Sequence, residues 1–520
     1  MSFMVTVLIT TSGTGSRLGS YTEHTNKSLV PLGDKYAICG IIELYPAEST
    51  FVITLGSKGN LVKDFLEMAY PSRQFLFVWV DKYEGPGSSL VYSMLAARHH
   101  LKKPFMFHCC DTIVQTMVFP TTNTLFVANG TDSEFYSSVN VLNGSVVQIH
   151  PKGYSGYDFI YIGLAFIQDY EAFWSALDAV YTSDPLNSGL SDIHGYSAMI
   201  AAGLEFGTIC VDKFYDTGNL KSYTQTCVAY ASNFDVLEKT NESLCFFPDR
   251  VIKFTSSRHV NSKRHQRGLV LGELSPKMLS VRPNFICMEF VSGKVLSEVY
   301  IHGEIYRLLT WASTRLWTEW DEDGRHVEAC ERFYKKKTME RLAMLHDSGS
   351  AYTINGLAVG TLSQVMQSVD FESLYTKWLC RFHGDFILDN IIRKENGDFV
   401  LLDWRHEFDA STPFGDMYYD LAKLRHNIIF NHKNIKAGLF SCVANGGHIT
   451  LDLKCNYFLM QQLEDFDRFV LENKYDAGKI KVLCALIWLN MAPLYEGGLR
   501  SFLFYFGLYN IKLALAHSHP

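Results

Sequence analysis

The segment Phe382-His383-Gly384-Asp385-Phe386-Ile387-Leu388-Asp389-Asn390 is followed by the apolar run Phe399-Val400-Leu401-Leu402 and then by Asp403. Asp385 and Asn390 have the spacing of a phosphoryl-transfer loop, in which the acid takes a hydroxyl proton and the amide holds magnesium. Asp403 closes an apolar strand, where a second metal-binding carboxylate belongs. Together these groups could transfer a phosphoryl group to a hydroxyl, with Asp385 as catalytic base and Asn390 and Asp403 holding Mg²⁺.

A second constellation lies at the other end of the chain. Gly13-Thr14-Gly15-Ser16-Arg17-Leu18 directly follows the strand Val5 to Thr10. Glycines at such a turn let backbone N–H groups approach a phosphate, and an arginine can neutralise it. Leu18 occupies the third glycine position of a dinucleotide fingerprint, and no Gly-Lys-Ser/Thr follows, so the loop is neither that fingerprint nor a P-loop. Alone, it reads equally well as a tight surface turn. Asn26-Lys27-Ser28-Leu29-Val30-Pro31-Leu32 follows at close range.

The block Leu8 to Leu32 resembles the signature of the sugar-phosphate and choline-phosphate nucleotidyltransferase family, and the resemblance extends over roughly the first 225 residues, a single-domain length. It implies that Gly13 and Gly15 cradle a triphosphate and that Arg17 and Lys27 act on its phosphates. It further implies that Gly85 and Ser88, in Glu84-Gly85-Pro86-Gly87-Ser88-Ser89-Leu90, frame the nucleobase. Asp111 and Asp216 stand where the family holds Mg²⁺, and Lys152 where a lysine meets the acceptor phosphate. Ser12, Asn26 and Cys110 depart from the pattern, replacing an alanine, a proline and a glycine. None of these changes removes a charged group. Ser89-Leu90-Val91-Tyr92-Ser93-Met94 looks closer to the cytidylyltransferases, which favours CTP.

From about residue 243 the chain resembles the aminoglycoside phosphotransferase and choline kinase family, most strongly over His383 to Asp420. The resemblance implies the roles already given to Asp385, Asn390 and Asp403. Lys253, in Arg250-Val251-Ile252-Lys253-Phe254, would pair with the nucleotide phosphates, with Glu273 as the acid that orients it. Met288-Glu289-Phe290-Val291-Ser292-Gly293 resembles the hinge that meets adenine, making Glu289 and Val291 nucleotide-binding positions. No glycine-rich loop precedes Lys253. Asp416 and Asp420 read as structural, and Lys335-Lys336-Lys337 as a solvated helix face.

The elements needed to position these groups are legible in outline. Strands at Val5–Thr10, Phe51–Leu55, Phe75–Val80 and Pro104–Cys109 alternate with helices near 61–69 and 88–99. That alternation implies a mostly parallel, Rossmann-like α/β sheet with helices on both faces. From Leu244 the pattern changes to short strands, a polar helix, a strand at 284–290 and then mainly helices, as a bilobal protein-kinase-like α+β domain requires. The expected division is therefore a first domain at 1–228, a linker at 229–242 and a second domain at 243–520.

At 520 residues the chain exceeds one core, and 47% hydrophobic and 14% aromatic content marks it as globular. A net charge of −7 argues against nonspecific binding to nucleic acid or an anionic membrane. The twelve cysteines contain no C-x-x-C pair and read as reduced thiols in a cytoplasmic protein. Phe502 to Leu515 is too short to span a bilayer and reads as a buried terminal helix. No membrane span is expected, and an oligomer is possible.

Together the two halves imply a bifunctional enzyme. One half would phosphorylate a small hydroxyl compound with ATP. The other would use CTP or another nucleoside triphosphate to convert the product into an activated precursor, as in surface-polysaccharide assembly. A sugar 1-kinase joined to a uridylyl- or guanylyltransferase is the alternative, and a silent binding module in one half is the third reading.

Overall fold

Val7, Leu8 and Ile9 have no exposed surface, so strand β1 (Thr6–Thr10) is apolar on both faces, as a central strand of a covered sheet must be. This computed structural model describes residues 4–130, 133–230, 240–318, 320–321, 326–345, 347, 349–410 and 412–516. β2 (Thr50–Leu55) and β3 (Gln74–Trp79) continue the sheet in parallel on one side of β1, and β4 (Phe105–Cys109) is parallel to it on the other. Helices α1 (Gly59–Ala69) and α2 (Leu90–Ala97) follow β2 and β3. Since β1 and β4 are adjacent and parallel, the glycine loop after one and Asp111 after the other emerge at the same carboxyl edge.

The remaining strands are β5 (Thr124–Ala128), β6 (Ser138–Leu142), β7 (Ser145–His150), β8 (Phe159–Ile167) and β9 (Gly207–Cys210). They complete a nine-stranded sheet of order β3-β2-β1-β4-β8-β5-β9-β7-β6. β8 runs antiparallel to both β4 and β5, so the sheet is mixed rather than mostly parallel. The reason lies in the connections. β6 and β7 are joined by the two-residue turn Asn143-Gly144, both at positive φ, which makes a hairpin and not a crossover. Helices α3 (Tyr170–Ser183), α4 (Asp192–Ala201) and α5 (Leu220–Ala229) complete this part.

The chain packs as two units, residues 1–258 with 279–290 and residues 259–278 with 291–520. This division differs from the boundary expected from the sequence. Most of the expected linker, residues 231–239, lies outside the described residues. Strands β10 (Glu242–Phe246), β11 (Arg250–Thr255), β12 (Met278–Arg282) and β13 (Phe285–Glu289) form an antiparallel sheet of order β10-β11-β13-β12. Its apolar face is not the top of a separate second domain. Cys245, Phe247, Ile252, Phe254 and Phe285 join the core containing Tyr36, Cys39 and Phe65 of the first unit. Tyr36 and Ser243 hydroxyls lie 2.8 Å apart, and the Arg282 guanidinium reaches Glu67 at 3.9 Å. Shared apolar burial, invisible to a reading of linear composition, fixes the cut.

In the second unit, helix α6 (Arg258–Leu271, from His259 on) precedes a small antiparallel sheet of β14 (Lys294–Val295), β15 (Ile391–Arg393) and β16 (Phe399–Leu401). Ile391 pairs with Leu401, which places the loop before β15 against the residues after β16. Helices α7 (Met417–Ile429), α8 (Ala477–Met491) and α9 (Gly497–Ala516) form its helical core. The 18-residue window Ala477–Leu494 is long and apolar enough to cross a membrane, but 61% of it is buried inside the protein. Trp488 of α8 packs 4.5 Å from Phe506 of α9, which buries Phe502, Leu503, Leu508 and Ile511. A second sheet, formed by 352–354, 357–360, 440–445 and 448–453, has no counterpart in the sequence reading.

Candidate active sites

In the first unit, a cleft of about 460 Å³ opens at the carboxyl edge of β1 and β4. Gly13, Gly15, Arg17, Lys27, Ser88, Lys152, Asp111 and Asp216 all line it. Gly85 lies in the adjoining loop at positive φ, where its carbonyl accepts from Ser88 Oγ at 2.7 Å.

Local chemistry explains how these groups converge. Gly15 has φ 71°, and a Cβ there would meet Lys27 Cβ at 2.9 Å, so the loop and the lysine segment approach as closely as they do only because residue 15 is glycine. Asn26 Nδ2 donates to the carbonyls of Thr11 and Ser57, and its Oδ1 accepts from Ser28 N and Oγ. That clamp holds the short turn Lys27–Leu29. Lys27 Nζ then donates to Asp111 Oδ2 at 3.1 Å. Burial pulls the Lys27 pKa down, but the charge of Asp111 outweighs it and holds the ammonium above the usual lysine range. Burial likewise pushes Asp111 up, and Lys27 overcomes this to hold its carboxyl below the usual range.

The two carboxylates meet through a short ribbon. Residues 112–114 pair with 214–216, Thr112 opposite Asp216, and Thr217 N donates to Asp111 O at 2.8 Å. Asp216 accepts from Gly218 N at 2.6 Å and from Tyr136 Oη at 2.8 Å. A Cβ on Gly218 would fall 2.8 Å from Asp111 Oδ2 and 2.9 Å from Asp216 Oδ1, so both carboxylates face one small space. Burial, then the charge of Asp111, pushes the Asp216 pKa up. Two carboxylates held against each other's repulsion fit a hard dication, which takes a few carboxylates and completes its shell with phosphate oxygens. Lys152 keeps much of its surface in solvent, but partial burial of its ammonium in the cleft, followed by the charge of Arg17, pulls its pKa down. Among the described residues, no group of three or more His, Cys, Asp and Glu is placed to hold a metal, so each candidate Mg²⁺ site would be completed by substrate or amide oxygens.

Sequence reasoning missed Asp192 and Tyr161, which also line the cleft. Tyr161 Oη donates to Asp192 Oδ2 at 2.6 Å, and burial pushes the Asp192 carboxyl up. Ser191-Asp192 signals a helix start and nothing more. Cys110, beside Asp111, has its thiol pushed up to about 11 by burial, so it is not a reactive group.

In the second unit, Asp385, Asn390 and Asp403 come together around a rigid loop. Asn390 Nδ2 donates to Asp385 O at 3.0 Å and to Asp385 Oδ2 at 3.1 Å. Leu402 N donates to Asn390 O at 2.7 Å, which ties the strand end before Asp403 to the loop. His383 joins the same pieces. Asp385 N donates to its Nδ1 at 3.1 Å, so Nε2 carries the proton and donates to Leu402 O at 2.7 Å. Burial holds this imidazole neutral, with its pKa lowered to about 4. Asp420 lies beneath the loop and accepts from His383 N at 2.7 Å, Gly384 N at 2.6 Å and Trp317 Nε1 at 3.1 Å. Asp416 caps α7 and accepts from Tyr334 Oη at 2.8 Å. Asp403 adopts φ 46°, a strained conformation for a residue with a Cβ, with Arg264 Nη2 3.7 Å from its carboxylate. An amide oxygen from Asn390 and the Asp403 carboxylate are the donor types that suit Mg²⁺.

The most informative missed group here is Lys423 of α7. Its Nζ lies 2.7 Å from Asp385 Oδ1. Burial pushes the Asp385 carboxyl up, and Lys423 overcomes this to hold it below the usual range.

Two expectations are corrected. Lys253 sits in β11, nearly buried, with Glu242 among its partners at 3.5 Å. Glu273 lies in a short turn after α6 and pairs with Arg315 at 2.5 Å. The polar segment left the register undetermined; Lys253 lies opposite Leu244 in the β10–β11 pairing, and Glu242, two residues away on the same face, reaches it diagonally. The run Lys335-Lys336-Lys337 is not one solvated face. Lys335 and Lys336 are exposed, whereas Lys337 is half-buried over the Phe333 ring at 4.1 Å. Of the hinge positions, Glu289 ends β13 in the first unit and Val291 begins the next segment of the second.

No family model and no curated protein matches the chain. Solved structures match its N-terminal part. The CTP:phosphocholine cytidylyltransferase of Streptococcus pneumoniae is 19% identical, over 44% of this chain and 99% of that one, with a TM-score of 0.37. The inositol-1-phosphate CTP transferase of T. maritima is 14% identical, over 45% and 98%, with a TM-score of 0.36. A UDP-glucose pyrophosphorylase in complex with UDP-glucose is 15% identical, over 44% and 98%, with a TM-score of 0.37. These values are too low to assign an activity.

Proposed function

We propose that the first unit transfers a nucleotidyl group from a nucleoside triphosphate to a phosphorylated acceptor. The observation that carries this reading is the convergence of Arg17, Lys27 and Lys152 with Asp111 and Asp216 on one cleft beside a glycine loop. In the reaction, an acceptor phosphate oxygen bonds to the α-phosphorus, the bond from that phosphorus to the α–β bridging oxygen breaks, and pyrophosphate leaves. The step brings anions together, so cations must neutralise and align them. The N–H groups of residues 13–16 and Arg17 would bind the triphosphate, Lys27 would act on it while anchored to Asp111, and Lys152 would meet the acceptor phosphate. Mg²⁺, held by Asp111 and Asp216, would supply further positive charge at the α-phosphate. CTP is the preferred nucleotide on the Ser89–Met94 segment; UTP or GTP with a sugar 1-phosphate is the alternative.

A second observation, the Asp385–Asn390–Asp403 loop with its supports, favours a kinase function for the second unit. The acceptor hydroxyl oxygen would bond to the γ-phosphorus of ATP, its proton would pass to Asp385, and ADP would leave. Intact charged groups in both sites argue against a silent module. In this reading the kinase makes the phosphate that the transferase consumes, giving a nucleotide-activated precursor for a surface polysaccharide or related glycoconjugate made in the cytoplasm. Pyrophosphate release by the purified chain, measured with each nucleoside triphosphate and a panel of phosphorylated acceptors, tests the first activity. Release that needs both substrates and is lost in Asp111→Ala supports it. Release by no pair, or unchanged release in the variant, overturns it.

A further inference from the structure

The catalytic acid of the second unit sits at the edge of a cluster of cations that its own carboxylates do not balance. Lys423 Nζ pairs with Asp385 Oδ1 at 2.7 Å. Arg405 is fixed against the catalytic loop, since its backbone N donates to His383 O at 3.0 Å and its Nε donates to Glu407 O at 2.9 Å. The Arg405 guanidinium lies 5.1 Å from the centre of the Phe333 ring, and Lys337 Nζ lies 4.1 Å from the same ring. Arg341 adds a further positive charge, with Nη1 donating to Asn490 O at 2.9 Å. Among the described residues, Lys337, Arg341 and Arg405 have no ion-pair partner. Of the strongest charges acting on Lys337, three are cationic and one, Glu407, is a carboxylate, whose Oε2 is buried without a hydrogen bond. Burial first, then Arg405, Arg341 and Lys423, push the Lys337 pKa well below the usual lysine value.

Charges gathered without partners beside a reacting group are costly unless a ligand brings the opposite sign. A cationic acceptor would need carboxylates or an open aromatic face. The Phe333 ring offers neither, being covered by Lys337 and Arg405 and stacked on Phe408 at 4.2 Å. We infer that the phosphoryl acceptor of the second unit is an anionic hydroxyl compound, one bearing a carboxylate or a phosphate, whose charge is met by Lys337 and Arg405 while its hydroxyl faces Asp385. This inference rests on the kinase reading above. It excludes amino alcohols and neutral polyols from the small hydroxyl compounds that the kinase reading admits. The hydroxyl oxygen bonds to the γ-phosphorus of ATP, the bond from that phosphorus to the β–γ bridging oxygen breaks, ADP leaves, and Asp385 takes the proton.

The test is ADP release by the purified full chain with four classes of acceptor. These are hydroxy acids and sugar acids such as glycerate and gluconate, sugar phosphates, the neutral counterparts glycerol and glucitol, and choline with ethanolamine. Turnover confined to the first two classes is the expected result, and comparison of those two distinguishes a carboxylate from a phosphate. Lys337→Gln should raise KM for the preferred acceptor about 10- to 100-fold, the value of one charge-assisted hydrogen bond, with a much smaller effect on kcat. Lys337→Arg should restore most of that loss. Higher kcat/KM for a neutral or cationic compound than for any anionic one would overturn the inference while leaving the kinase reading intact, as would an unchanged KM in folded Lys337→Gln. ADP release with no class at all would remove the kinase reading and the inference with it.

Discussion

Lys423 Nζ sits 2.7 Å from Asp385 Oδ1, so the residue we propose as proton acceptor is held ionised by a lysine from a different element. Burial alone would push Asp385 the other way. The lysine therefore has two consequences, a charge at the reacting centre and a base ready at neutral pH.

Removing it should shift the pH dependence of phosphorylation. With its pKa held low, Asp385 is ionised across the neutral range. In Lys423→Met burial dominates, the Asp385 pKa rises, and the base is lost at a higher pH on acidification. The acidic limb of kcat/KM should move upward by about a unit or more, with kcat at pH 7 lowered about 10²-fold or more, the low end of a general-base contribution. A pH–rate profile of the variant measures this, and an unmoved acidic limb would show that Lys423 does not set Asp385.

Lys27 should matter for stability as well as for transfer. Lys27→Met leaves Asp111 buried without its partner, which typically costs on the order of 3–5 kcal/mol. In the native protein Asp111 has a depressed pKa, so its contribution is present above the unfolded value of about 3.9 and is lost as pH falls. The variant should therefore trail the native chain most at neutral pH, and the gap should narrow on acidification. Thermal unfolding from pH 7 down to about pH 2, which spans the range where the native Asp111 takes up its proton, checks the direction. A gap independent of pH would mean that the pair is not coupled as the geometry indicates.

The small sheet belongs to the core of the first unit, which bears on how the chain can be cut. A fragment ending at residue 228 would expose the apolar surface of Tyr36, Cys39 and Phe65 that meets Cys245, Phe247 and Phe285. It should bind a hydrophobic dye and aggregate, whereas a fragment ending at residue 290 should stay soluble with an intact first site. Equal solubility of the two fragments would restore the boundary expected from the sequence.

How far the sequence revealed this depends on distance along the chain. Asp385, Asn390 and Asp403 are close in sequence and bounded by an apolar strand, so their grouping is visible. The glycine loop and Asp111 are readable because each ends a strand whose pattern is clear. Lys423 is not, since it reaches Asp385 from a helix with no motif of its own. Lys337 looks like its exposed neighbours until Phe333 and Arg405 are seen around it. Glu242 pairs with Lys253 across a strand register that composition does not encode. The mixed half of the large sheet is hidden for a related reason. A hairpin turn such as Asn143-Gly144 sets local direction but not which distant strand lies alongside.

The central claim is that one chain carries two separable transfers, phosphorylation in the second unit and nucleotidyl transfer in the first. The most direct test assays both half-reactions on two variants of the full chain, Asp385→Asn and Asp111→Ala. Asp385→Asn should lose ATP-dependent phosphorylation by about 10²–10⁴-fold yet still release pyrophosphate from nucleoside triphosphate and a supplied phosphorylated acceptor. Asp111→Ala should do the reverse. Loss of both activities in either variant, or of neither in both, would contradict the assignment of one reaction to each site.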